Sequence, residues 1–200
     1  MFPLPLRNAL AHLAIDGLDH DDAHAALAWL AHRSGSPDDA AARRLAREHL
    51  IDPGAATLLP VHAAHDAGIR AHATHALAAA AAYRQRPAAG ADAMTGAVAR
   101  AAALWDARLF FEVHEVLEAV WQRASGPTRQ ALQGLIQVAV AFYHLAAGNL
   151  RGARQLLRDG RERLAAAPGI LPLLDAPALI ELTGPWHDAL AASRPVPAAA

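Results

Sequence analysis

Residues 132–144 read LQGLIQVAVAFYH and carry apolar side chains in almost every direction around a helix. A helix that is hydrophobic all round is buried inside its domain. Alanine, leucine and arginine dominate the rest of the chain, whereas the β-branched residues that strands favour are sparse. The sequence therefore predicts an all-α protein with this segment at its centre.

Prolines and glycines separate further helical segments along the 200 residues. We expect these helices at about 19–34, 37–52, 60–84 with a break near Gly68, 92–104, 110–123, 128–147 and 150–166. The predicted architecture is a helical bundle of stacked helix hairpins, loosely like tetratricopeptide repeats, with an amino-terminal helical extension. Residues 1–90 form this Ala/His-rich extension, residues 91–190 the bundle and residues 191–200 a frayed tail. Residues 86–90 are the expected linker, and Trp186 is the expected anchor of the proline-rich C-terminal segment.

An offset of 40 residues relates two turn-and-helix segments in the second half of the chain. Each has a turn residue, an aliphatic residue five positions on and a leucine four positions further. The two sets are Arg108, Val113 and Leu117, and Gly148, Ala153 and Leu157. Such spacing is typical of repeated helix hairpins.

Composition and charge exclude several classes of protein. The balance of 18 basic against 19 acidic residues leaves no global basic field to hold nucleic acid, and we expect no such partner. No uninterrupted apolar stretch of about 20 residues occurs, so we expect no membrane partner and a cytoplasmic location. The absence of cysteine excludes thiolate metal sites and cysteine nucleophiles. Glycine-rich nucleotide-binding loops and the serine-hydrolase elbow are missing as well.

Residues 110–121, FFEVHEVLEAVW, hold the most informative polar side chains. On a helix His114 and Glu118 lie one turn apart, and Glu115 and Glu118 are three residues apart. These side chains can therefore converge on one edge of the helix, beside its apolar stripe. The polar residues of the central helix need partners too, because an unpaired buried polar group costs about 1–3 kcal/mol.

Three interpretations of these polar residues stay open. In a metal site, facing helices supply carboxylates and imidazoles, and the candidate ligands are His114, Glu115, Glu118 and His144. In metal-free acid–base catalysis the candidate catalytic residues are His114, Glu115 and Glu118. In a structural interpretation, buried polar groups satisfy one another and fix the helix register. That network comprises His114, Glu118, Gln137, Tyr143 and His144.

Three motifs in order carry a family resemblance: HExLExxW from residue 114, LQGLIQ from residue 132 and YHxxxGN from residue 143. Together they make residues 94–166 similar to the bacterial and archaeal family known as domain of unknown function 309. The resemblance implies a small all-helical bundle of two paired hairpins and brings no established activity. Arg108 departs from the family pattern, which usually has glycine in this turn, so either the arginine adopts a positive φ or the turn differs.

Two further groups of basic side chains repeat at helical spacing. One is a basic edge that could bind anions or an acidic partner, formed by Arg151, Arg154, Arg158 and Arg161. A solvent-exposed helix face is the simpler interpretation of this edge. The other is a histidine stripe in the amino-terminal half, formed by His62, His65, His72 and His75. A specific metal site there lacks accompanying acids apart from Asp66.

Two functions from different classes follow from the sequence. The first is a non-catalytic scaffold that binds another protein or a second copy of itself through the concave side of stacked hairpins. The second is a metal-dependent enzyme of the hydrolase type, with a divalent metal as its cofactor and the His/Glu cluster as its centre. Nothing in the sequence names a substrate.

Overall fold

The structure, a computed structural model, describes residues 2–85 and 92–197. Within these residues it contains ten α-helices, a 3₁₀-helix and one two-stranded hairpin, so the predicted all-α fold is confirmed. The predicted linker at 86–90 and the end of the predicted frayed tail lie outside the described residues. The helices are α1 (Leu4–Asp16), α2 (Asp21–His32), α3 (Asp39–Arg47), α4 (Asp66–Gln85), α5 (Ala93–Asp106), α6 (Phe110–Trp121), α7 (Gly126–Ala146), α8 (Leu150–Ala165), α9 (Ala176–Leu182) and α10 (Gly184–Ala191).

The described residues form two compact units. The first unit groups residues 2–85 with residues 103–112, and the second groups residues 92–102 with residues 113–197. Two unit boundaries therefore fall inside α5 and α6, and the division of the chain at residue 90 stays a prediction.

Helices α1 to α4 supply the core of the first unit. Helix α2 packs against α1, α3 and α4, and α1 also packs against α4. Leu10, Leu27 and Ile69, one from each of three helices, are fully buried. Arg84 at the end of α4 donates hydrogen bonds to the carbonyl oxygens of Leu18 and Gly17, at 3.2 and 3.3 Å. These bonds satisfy carbonyl groups that the end of α1 leaves without helical partners.

Sequence-based boundaries fail at two places in the first unit. The segment around Asp19 continues the turn after α1, with the Asp19 amide bonded to the Asp16 carbonyl at 3.1 Å, and α2 begins only at Asp21. Helix α3 ends at Arg47 and does not reach Asp52, because His49 adopts a positive φ of 54°. A short antiparallel hairpin follows instead, with β1 (Ile51–Asp52) paired to β2 (Thr57–Leu58).

The segment that begins at Pro60 is helical as expected, but it starts as a 3₁₀-helix and continues as an α-helix. A 3₁₀-helix covers Pro60–His65, and α4 begins at Asp66. The change therefore precedes Gly68, where the sequence suggested a break. Gly68 lies inside α4, and a methyl group there would lie 3.0 Å from the Phe2 ring.

In the second unit, α7 and α8 form a closely packed hairpin. A methyl group added to Gly134 of α7 would lie 2.9 Å from the Gly160 carbonyl oxygen. A methyl group on Gly160 of α8 would lie 2.7 Å from the Gly134 carbonyl oxygen. The two backbones therefore touch, and only glycine permits this distance at both positions. No residue of α7 from 131 to 144 is exposed, which confirms the central, buried helix predicted from sequence.

The C-terminal helices α9 and α10 pack on α8. The Trp186 ring meets the Phe142 ring edge to face at a centroid distance of 5.3 Å. Its indole nitrogen donates to the Pro197 carbonyl oxygen at 3.1 Å. The predicted role of Trp186 as an anchor is confirmed.

The 40-residue offset is visible in the backbone of two turns. The amide of Leu109 binds the Leu104 carbonyl at 2.9 Å, and the amide of Asn149 binds the His144 carbonyl at the same distance. Arg108 has a φ of 61°, and Gly148, forty residues later, has a φ of 74°. Helices α6 and α8 each begin two residues after this left-handed residue. The turn predicted at Arg108 is therefore confirmed, with arginine in a conformation that favours glycine.

Candidate functional site

Helix α6 presents one apolar and one polar side. Val113 and Leu117 are almost completely buried, at 1% and 0% exposure. His114 and Glu118 follow each of them by one residue, so their side chains lie at the border of the buried stripe. Their side chains are 25% and 38% exposed, which leaves them accessible to solvent and still held by the helix.

Three side chains on this polar side converge. The Nδ1 atom of His114 lies 3.3 Å from Oε1 of Glu115, and its Nε2 atom lies 3.0 Å from Oε2 of Glu118. One potential ligand atom from each of the three residues lies within 4.8 Å of the others. The three potential ligand atoms are therefore close enough together for a single metal ion to contact all of them.

The other predicted polar residues lie elsewhere in the second unit. Among the described residues, His144 is not part of the close group of potential metal ligands. Its Nδ1 atom lies 3.2 Å from Nδ2 of Asn149, and the Tyr143 ring lies beside it at 6.1 Å. Gln137 accepts a hydrogen bond from Nε of Arg163 at 3.1 Å. The structure thus places His114 with Glu118 and gives Gln137 and His144 local partners of their own.

Helix α6 ends against an arginine. The guanidinium of Arg129 stacks over the Trp121 ring, 3.7 Å from its centroid, and donates to the Trp121 carbonyl oxygen at 2.8 Å. It also binds the Ala124 carbonyl oxygen at 3.4 Å. The cation thereby pairs with the negative end of the α6 dipole and fixes the turn that follows Glu118.

Two of the four arginines in the predicted basic edge bind groups in the C-terminal part of the protein. Arg154 donates to the Ala191 carbonyl oxygen at 3.0 Å, and Arg161 donates to the Ile180 carbonyl oxygen and to Oγ1 of Thr183. Burial lowers the pKa of Arg161 from its ordinary value. These two arginines hold the C-terminal helices. Arg151, Arg154 and Arg158 are exposed, and Arg158 donates to Asp159 at 2.8 Å.

Glu112 is a buried acid that sequence reasoning overlooked. It is only 4% exposed, and its Oε1 atom lies 2.8 Å from Nε2 of His72 in the first unit. The other imidazole nitrogen, Nδ1, is buried without a hydrogen-bond partner. A signal was available in the sequence, since Leu109 and Val116 lie three residues before and four after Glu112 and are both buried.

The segment of the chain that contains the His/Glu cluster matches a family model. Residues 98–156 match the family model described as "Domain of unknown function (DUF309)". These residues, called the DUF309 segment below, are similar to that family and make up less than a third of the chain. The match confirms the resemblance over this segment. The DUF309 segment contains all of α6 and α7, both related turns and the three converging side chains.

The description of this family names no biochemical activity. No curated protein and no solved structure matches the chain significantly. Among the described helices, none is both long and apolar enough to cross a membrane.

Proposed function

We propose that the protein is a divalent-metal-binding helical protein whose centre is His114, Glu115 and Glu118. The supporting observation is that one ligand atom from each residue lies within 4.8 Å of the others. One imidazole nitrogen and two carboxylate oxygens are a ligand set suited to zinc, manganese or ferrous iron. Magnesium and calcium prefer sites made of oxygen alone, so we expect the transition metals to bind more tightly.

Three protein ligands leave part of the coordination sphere of such an ion open. Catalytic zinc sites have this arrangement, with water or substrate in the remaining position. The three side chains are 25–38% exposed, so solvent reaches the site. If the site is catalytic, the reaction that it suits is hydrolysis, in which the metal would activate a bound water.

A second candidate is the scaffold, in which the cluster has only a structural role. The direct contacts of His114 favour it, because both ring nitrogens already face a carboxylate, at 3.3 and 3.0 Å, with no ion between them. The protein would then act by binding another protein or a second copy of itself.

Elemental analysis of untagged protein separates the two candidates. The metal proposal expects near-stoichiometric metal in the wild type and loss of it in the variant His114→Ala/Glu118→Ala. The scaffold expects equal traces of metal in both proteins. Because the pair is partly exposed, its removal costs less than about 1 kcal/mol, and the variant should keep its fold.

The twelve histidines of the chain require a matched control. His12 and Glu48 form a pair of the same residue types at 3.3 Å, outside any close group of three potential ligands among the described residues. His12→Ala/Glu48→Ala should bind as much metal as the wild type. Calorimetric titration with Mn²⁺, Zn²⁺ and Mg²⁺ then ranks the ions. Equal metal content in the wild type and in the His114→Ala/Glu118→Ala variant would contradict the proposal.

A further inference from the structure

A cavity in the second unit lies between the start of α7 and the end of α8. Its volume is about 660 Å³, and it is open to solvent, because Pro127, Gln130, Glu162 and Ala166 of its lining are exposed. Three apolar residues, Pro127, Ala166 and Ala167, form part of its lining. The polar lining residues are Gln130, Asp159, Glu162 and Arg163.

Arg163 is held in place by neutral groups. Its Nη1 atom donates to Oε1 of Gln130 at 2.6 Å, and its Nε atom donates to Oε1 of Gln137 at 3.1 Å. Within residues 2–85 and 92–197, no carboxylate forms an ion pair with this guanidinium. Amide oxygens orient the cation without neutralising it, and a guanidinium fork binds carboxylates in a fixed geometry. Arg163 is therefore oriented to bind an anionic group in the cavity.

The two acids of the cavity differ in how they are engaged. Oδ1 of Asp159 accepts two bonds from Arg158, at 2.8 and 3.1 Å, and its Oδ2 accepts one from Gln155 at 2.7 Å. These hydrogen bonds lower the pKa of Asp159, and the positive charges of Arg158 and Arg163 lower it further to a smaller extent. Glu162 has only a loose contact with Arg158 at 3.9 Å, and its side chain is 70% exposed. Glu162 is thus the acid available to a cationic group of a ligand.

We infer that this cavity binds a free α-amino acid with an apolar side chain. Its carboxylate pairs with Arg163, its ammonium group faces Glu162, and its side chain lies against Pro127, Ala166 and Ala167. The charges of the lining decide the class of ligand. A dianion such as phosphate would be repelled by the carboxylates of Asp159 and Glu162, and a simple amine would be repelled by the guanidinium of Arg163. A zwitterion matches both signs at once. This site is separate from the His/Glu cluster and does not depend on the metal proposal.

Calorimetric titration of the full chain with L-leucine tests the inference. We expect saturable binding, with affinity at least about tenfold lower for isocaproate, which lacks the ammonium group, and for isoamylamine, which lacks the carboxylate. No saturable binding of L-leucine, or equal binding of either partial ligand, would overturn the proposal.

Variants assign the binding to the cavity. Arg163→Gln and Glu162→Gln should each weaken L-leucine binding at least about tenfold. Arg151→Gln, at an exposed arginine on the same helix and outside the cavity, should bind like the wild type. Glu162 is largely exposed, so its variant folds even if Arg163→Gln does not. Unchanged affinity in Glu162→Gln would overturn the assignment.

Discussion

Arg108 is an arginine in the left-handed backbone region, with a φ of 61°. This conformation costs an ordinary residue about 1–2 kcal/mol, and glycine avoids most of that cost. We predict that Arg108→Gly raises the free energy of unfolding by up to about 1 kcal/mol, after the larger chain entropy of glycine is subtracted. Urea denaturation of both proteins measures the difference.

The control for Arg108→Gly is a second exposed arginine with ordinary backbone geometry. Arg123 follows α6 and is not among the residues with positive φ. Arg123→Gly should leave stability unchanged or lower it slightly. If both variants gain stability equally, backbone strain is not the cause.

Among the residues that the structure describes, Glu112 is the one buried carboxylic acid, at 4% exposure. Removing one partner of a buried pair leaves the other without compensation, so we predict that Glu112→Ala lowers the free energy of unfolding by about 3 kcal/mol. Glu118→Ala removes a carboxylate of the partly exposed cluster and should cost less than about 1 kcal/mol without metal. Chemical denaturation compares the two variants, and equal losses would contradict the difference in burial.

At the scale of elements, the α7–α8 hairpin depends on two facing glycines. Gly160→Ala would place a methyl group 2.7 Å from the Gly134 carbonyl oxygen, which the packed backbones cannot accept without moving. We predict a loss of about 1–3 kcal/mol, as for other overpacked interiors. Thermal unfolding followed by circular dichroism measures it.

Gly96 in α5 provides the matched control for that prediction. The nearest atom to an added methyl group there is the tip of the Arg100 side chain, at 3.4 Å. Gly96→Ala should therefore raise stability by about 0.5–1 kcal/mol, because alanine favours a helix more than glycine does. A loss of stability in Gly96→Ala and none in Gly160→Ala would refute the packing argument.

Helices with strong periodicity and clear breaks were predictable from sequence. Helix α8 was expected at 150–166 and covers Leu150–Ala165, and α6 begins at Phe110 as expected. Predictions failed where a single backbone angle decides the path, as at His49, whose positive φ ends α3 and admits the hairpin. Such angles arise from tertiary packing, and composition alone does not encode them.

Only part of the candidate site was predictable, because spacing fixes neighbours on one helix and not between helices. His114 and Glu118 meet as their four-residue spacing requires. The pairing of His144 with Asn149, and of Gln137 with Arg163, depends on how α7 ends and how α8 crosses it. The pair of His72 and Glu112 joins residues 40 positions apart, beyond the reach of any periodicity argument.

For the molecule as a whole, basic and acidic residues nearly balance at neutral pH. The formal net charge is -1 with neutral histidines, and the sequence isoelectric point is about 6.9. Below its isoelectric point a protein carries net positive charge, so the sign of the charge changes close to neutral pH. We predict that electrophoretic mobility is near zero at pH 7 and clearly cationic at about pH 5.5. Anionic mobility at about pH 5.5 would contradict this.

The indole of Trp121, over which Arg129 stacks, gives α6 an intrinsic fluorescent probe close to the His/Glu cluster. Trp121 lies three residues after Glu118 on the same helix, so their Cβ atoms are about 5–6 Å apart. A paramagnetic ion held by the cluster would quench the emission of this tryptophan at short range. Replacing Trp29, Trp105 and Trp186 by phenylalanine would leave Trp121 as the single tryptophan, and the intensity of tryptophan emission would then report directly on whether the neighbouring ion is bound.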